Sequence, residues 1–120
     1  MEQKLANPGP LGLAGFGMTT VLLNLHNAGF FPVTSAIMVM GVFFGGLAQI
    51  IAGILEYKRG NTFGTVAFIS YGFFWMALVG IWTLPAVGVV QPVSAIDMGW
   101  FLALWGIFSV FMTLDRKSVV

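Results

Sequence analysis

Ser35–Tyr57 reads SAIMVMGVFFGGLAQIIAGILEY, 23 residues in which Gln49 and Glu56 are the only strongly polar side chains. At about 1.5 Å per residue a helix of that length covers about 35 Å, enough for the roughly 30 Å hydrocarbon layer of a bilayer. The run is continuous rather than alternating and about twice as long as a barrel strand, which argues against a β-barrel. Its edges have local causes. Pro32 precedes it, and Thr34 or Ser35 can cap it. Lys58-Arg59-Gly60-Asn61 follows, with charge, a helix-ending glycine and a new cap.

Three more segments meet the same length: roughly Pro10–Phe31, Thr62–Leu84 and Ser94–Leu114. Pro85, Gly88 and Pro92 divide the last two. The expectation is an all-α, polytopic transmembrane bundle of four spans, forming one membrane domain over residues 1–120. Composition agrees: of 120 residues 58% are hydrophobic and 8% charged, against roughly 25% charged in soluble domains. A net charge of +1 with scattered basic residues argues against nucleic acid. The chain has no cysteine, which excludes disulfides and thiolate metal sites. Met1–Lys4 lacks the pattern of a signal peptide, so the first helix is expected to remain as an anchor.

Lys4, Lys58, Arg59, Arg116 and Lys117 are all the basic residues. With four spans they fall on one side, which the positive-inside rule makes cytoplasmic, together with both ends of the chain. Trp82 and Trp100 read as anchors at the opposite interface. Gly41 and Gly45 form a GxxxG step beside Gly46, and Gly12, Gly53, Gly72, Gly80, Gly99 and Gly106 add small positions suited to close helix packing. Phe43, Phe44, Phe73, Phe74, Phe101 and Phe108 serve as bulk toward lipid or neighbouring helices.

The first helix opens on Ala6-Asn7-Pro8-Gly9-Pro10-Leu11-Gly12-Leu13-Ala14-Gly15-Phe16. Asn7 is a natural N-cap, and either proline suits a first helical turn. Gly12 and Gly15 share a face. This run resembles the signature of the acetate uptake transporter family, whose bacterial members are called succinate–acetate permeases: Ala-Asn-Pro, a small residue, Pro, Leu or Phe, Gly-Leu, any residue, a small residue, Phe. Similarity continues through Gly17–Thr20, Asn24–Asn27, Gly45-Gly46, Glu56–Lys58, Gly60–Gly64 and Ser70–Gly72. The resemblance implies transport of acetate and other small carboxylates, in some members succinate, often coupled to protons. It also implies homo-hexamers with a path in each subunit, and six membrane helices where this chain supplies four. In that family a signature phenylalanine, a third-helix tyrosine and a leucine from a later helix narrow the path. Phe16 and Tyr71 match the first two.

Polar groups inside a membrane are costly and turn to the bundle interior or to a water-filled path. Candidate solute contacts are therefore Asn7, Pro8, Gly9, Pro10, Leu11 and Gly12 at the helix start, where free backbone N–H groups can meet a carboxylate. Thr20, Asn24, Gln49 and Ser70 join them. Thr19, Thr20 and Ser70 are equally explained by hydroxyls bonding back to their own helices. His26 and Glu56 are the proton-handling candidates. For His26 the competing reading is a structural hydrogen bond, and for Glu56 an ion pair with Lys58 or Arg59. Gln49, seven residues before Glu56, shares its face and can extend a polar track. One histidine without clustered carboxylates makes a metal site improbable, and no cofactor is expected. With no nucleophile–base pair, phosphate loop or paired carboxylates, an enzyme is not expected. The alternative function is a non-transporting assembly or regulatory subunit, or an inactive fragment of the transporter.

Overall fold

The structure is a computed structural model that describes the backbone of residues 5–118 and the side chains of residues 5–115. Lys4, Arg116 and Lys117, three of the five residues behind the orientation expected above, lie outside the described side chains. The described residues form four helices and no strand: α1 Gly9–Asn27, α2 Ser35–Lys58, α3 Thr62–Val87 and α4 Ala95–Ser118. Three helical stretches, Ser35–Lys58, Thr62–Val87 and Ala95–Asp115, are long and apolar enough to cross a membrane. At 19 residues with Thr19, Thr20, Asn24, His26 and Asn27 in its run, α1 is less apolar than these.

Helix ends follow glycine more closely than proline. α1 stops at Asn27, not Phe31. Gly29 takes φ +91°, its N–H donates to His26 O, and the Phe30 N–H donates to Leu25 O. That paired closure is a Schellman motif, and it ends the helix before Pro32 can. Gly60, at φ +75°, ends α2 in the same way: its N–H reaches Tyr57 O and the Asn61 N–H reaches Glu56 O. Pro85 does not break α3, contrary to expectation. Proline's φ is already helical and only one N–H is lost near a helix end. The stop comes at Gly88, with φ +86°. Asn61 caps α3 through Oδ1, which accepts the Gly64 N–H at 3.0 Å. Ser94 Oγ accepts the Asp97 N–H at 3.0 Å and starts α4.

Contacts divide the chain into two compact units, with the boundary between Val79 and Gly80 inside α3. In the first unit α1 packs on α2, and small residues set the distance of approach. A methyl group on Gly15 would stand 2.7 Å from the Phe44 carbonyl oxygen, and one on Gly72 2.7 Å from that of Gly46. Gly12 is closed by Phe68, Gly41 by Val79 and Gly53 by Ile69. These glycines do the packing assigned to them. Gly99 and Gly106, in the second unit, face open space instead.

One feature was not expected. Over Gly41–Ala48 the turns of α2 widen to a π-helix, a winding associated with functional sites. Gly41, Gly45 and Gly46 are its buried residues, so the glycine-rich step is also where the helix departs from regular winding.

Candidate functional site

The two aromatic residues singled out above meet. Phe16 on α1 and Tyr71 on α3 lie with ring centroids 5.8 Å apart and planes at 63°, an edge-on contact. Such a pair combines bulk with a favourable ring geometry. Phe16 is 41% exposed, so its ring is covered only in part.

About one turn along each helix the character changes. Thr19 follows Phe16 by three residues and Trp75 follows Tyr71 by four, and both are buried, with Gln49 of α2. All three converge on Gly45. A methyl there would stand 3.0 Å from Thr19 Oγ1 and 2.9 Å from the Trp75 ring, and Gln49 Nε2 donates to the Gly45 carbonyl at 2.9 Å. Among the described residues, Thr19 Oγ1, Gln49 Oε1, Trp75 Nε1 and Thr65 Oγ1 are buried without hydrogen-bond partners. Unmet polar groups are costly in an apolar interior. Thr19, Gln49 and Trp75 therefore bring hydroxyl, carbonyl and N–H capacity, with no charge, beside the aromatic pair. Thr19 departs from the expectation that its hydroxyl bonds back. Sequence reading missed it and Trp75 as polar sites. The spacing Gly12, Gly15, Thr19 was the available signal, since it places all three on one buried face.

Thr20 does bond back: its hydroxyl donates to Phe16 O at 2.6 Å. Ser70 is half-buried and Asn24 exposed. His26 Nδ1 donates to Phe31 O at 2.9 Å, the structural bond weighed against proton handling. The polar track from Gln49 to Glu56 is interrupted. Both are buried, but Ala52 and Gly53 lie between them, with Gly53 against Ile69.

At the start of α1 a second polar group closes over Glu56, which is 3% exposed. Arg59 Nη1 donates to Glu56 Oε1 at 2.9 Å and to Asn7 Oδ1 at 2.7 Å. Asn61 Nδ2 donates to Glu56 Oε2. The local ion pair thus forms with Arg59, and it ties the chain before α1 to the end of α2. Asn7 is not the N-cap expected of it: the helix begins one place later, with Pro8 at the N-cap position and no side-chain cap bond, and Asn7 Oδ1, just before it, accepts the Gly9 N–H at 2.9 Å. This reduces what the helix start can offer a carboxylate. The Gly9 N–H is taken, Pro10 has none, and the Gly12 N–H donates to Pro8 O. Of Gly9 to Gly12, only Leu11 keeps an amide that these bonds do not use. His26 lies 17 residues along α1 from Gly9, about 25 Å, so it and Glu56 sit at opposite ends and do not exchange a proton directly. Among the described residues no three His, Cys, Asp or Glu converge on a metal-sized site.

Comparison with known proteins gives close relatives. The chain is 59% identical over 109 residues to the succinate-acetate/proton symporter SatP of Escherichia coli K12, covering 91% of this chain and 58% of that protein. It is 37% identical over 121 residues to acetate permease A of Emericella nidulans, covering 92% of this chain and 41% of that one. The solved structure of the bacterial acetate channel SatP superposes with a TM-score of 0.92 at 57% identity, over 93% of this chain and 62% of that chain. The chain therefore spans about 60% or less of the length of these relatives. Residues 1–118 match the GPR1/FUN34/yaaH family from end to end of the match, and the chain belongs to that family.

Proposed function

We propose that this chain builds part of a conduit for acetate and related small carboxylates, succinate among them, across a cell membrane. The observation that carries the reading is the edge-on contact of Phe16 with Tyr71, inside a fold that superposes on a SatP acetate channel. A narrow apolar ring pair sheds water, which disfavours hydrated ions and admits a small solute with a methyl end. Thr19, Gln49 and Trp75 then supply neutral hydrogen-bonding groups one turn further on. Neutral groups hold a carboxyl less tightly than a buried cation does, so the solute can also leave. Asn7 to Gly12, with Thr20, Asn24 and Ser70, remain solute contacts on this reading, though the backbone share falls to Leu11. Proton coupling is supported by the symporter name of a 59% identical relative; Glu56, buried beside Arg59, is the first candidate to carry the proton and His26 the second. The protein is a carrier rather than an enzyme and needs no cofactor.

Replacing Tyr71 by Ala is expected to let larger monocarboxylates through. Uptake of labelled acetate, propionate and butyrate into vesicles checks this. An unchanged size limit at normal protein level counts against a constriction there. Wild-type vesicles that take up no acetate at all favour the non-transporting subunit.

The topology is four spans within a single membrane domain. α1, at 19 residues, covers about 28 Å, close to the hydrocarbon thickness. All five basic residues then lie on the cytoplasmic side with both ends of the chain. The subunits form a homo-oligomer, a hexamer on the family's pattern, surrounded by lipid. A reporter fused in the Lys58–Asn61 loop should read cytoplasmic, and one at Gly88 external. A cytoplasmic Gly88 reporter removes the four-span topology.

A further inference from the structure

Lys58 is the last residue of the 24-residue helix α2, and Arg59 follows it as the C-cap. They line a cleft of about 170 Å³ together with Leu5, Ala6, Asn7, Pro8 and Leu55. We propose that this cleft binds the phosphate of an anionic membrane lipid, with one acyl chain lying along α2. Arg59 is held in place for the task. Its Nη1 bridges Asn7 and the buried Glu56 carboxylate, which leaves the Nε and Nη2 donors of the guanidinium fork for an oxyanion. Glu56 offsets the charge of Arg59, so the net positive charge of the cleft comes from Lys58. That ammonium is exposed and has no acceptor among the described residues.

The apolar half fits a lipid better than a free anion. Leu55 lines the cleft and continues into exposed Ile51 and Leu47, four and eight residues earlier and so on one face of α2. A headgroup at Lys58 and Arg59 places its chain on that face. The depth is right as well. Spanning about 35 Å against a hydrocarbon layer of roughly 30 Å puts the last turn of α2 at headgroup level. A soluble carboxylate or phosphate would use the two cations and leave Leu5, Leu55 and the stripe below them without a role.

The test is native mass spectrometry of the detergent-solubilised protein titrated with phosphatidylglycerol or with phosphatidylcholine of the same chains. Phosphatidylglycerol should bind more tightly. Lys58→Gln should weaken it about fivefold, the usual worth of one basic residue at an anionic surface, and Lys58→Arg should restore it. Lys58 makes no internal bond that the fold needs, so both variants keep the Glu56–Arg59–Asn7 contacts. Leu55→Ser should weaken both lipids together. Equal binding of the two lipids by the wild type, or an unchanged preference in Lys58→Gln, overturns the proposal. Displacement of the bound lipid by millimolar inorganic phosphate or acetate also overturns it and assigns the cleft to a soluble anion.

Discussion

A leucine at Gly72 is expected to lower stability by about 3 kcal/mol, the upper end for overpacking a tight interior. The reason is that moving the Ile50 side chain, whose Cγ1 would stand 2.6 Å from a methyl group there, does not clear the site, because backbone closes it as well. A methyl at Gly72 already stands 2.7 Å from the Gly46 carbonyl oxygen and 3.1 Å from the Ile50 amide nitrogen, both backbone atoms of α2. Relief requires α2 and α3 to separate, which exposes the widened turns of Gly41–Ala48 and pulls Trp75 away from Gly45. Gly17 is the control. Nothing lies within 4 Å of a methyl group there, so Gly17→Leu should change stability by less than about 0.5 kcal/mol. Thermal unfolding of the two purified variants in the same detergent decides the matter. If Gly72→Leu melts with Gly17→Leu, the close crossing is not what holds this unit together.

Glu56→Ala is expected to cost about 2 kcal/mol. Removing one partner of a fully buried ion pair costs roughly 3–5 kcal/mol, but the Arg59 side chain is 36% exposed and solvent recovers part of that. Asn61 loses its acceptor as well, and with it the orientation of the oxygen that caps α3. Because Arg59 also bridges to Asn7, the start of α1 should loosen. Asn7→Ala, which removes the acceptor of the Gly9 N–H and the bridge to Arg59 but leaves the ion pair, should cost only about 1 kcal/mol, the usual net worth of a hydrogen bond. Glu56→Gln separates stability from transport, since an amide oxygen can still accept one bond but carries no charge. Uptake of labelled acetate with and without an imposed pH gradient reads the difference. If Glu56 carries the coupled proton, the folded Gln variant takes up acetate without responding to the gradient. A Gln variant that still follows the gradient leaves Glu56 as a structural anchor alone.

The contrast between the two polar groups shows where local pattern stops being informative. The pairing of Glu56 with Arg59 spans three residues, and the Asn61 cap also spans three, so both were readable from neighbouring letters. The bridge from Arg59 to Asn7 spans 52 residues, and nothing in either neighbourhood announces it. Thr19 and Thr20 are adjacent and chemically identical. One hydroxyl bonds back to Phe16 while the other is buried without a partner. Which of them faces α2 depends on how α1 is rotated, and the buried glycines Gly12 and Gly15 set that rotation.

By itself the sequence determined the class of the protein, because long uncharged runs leave water only by entering a bilayer as helices, and intrahelical hydrogen bonds need no partner segment. It determined the glycine-ended turn at Gly60 for the same reason: the cause lies within four or five residues. It also placed Phe16 and Tyr71 through a family resemblance whose signature carries Phe16. The tertiary structure decided the rest. It brought the two rings to 5.8 Å, widened α2 at Gly41–Ala48 and gathered Thr19, Gln49 and Trp75 around Gly45. Each of these depends on which helix face meets which, and that is settled by packing between segments far apart in the chain rather than by any local preference.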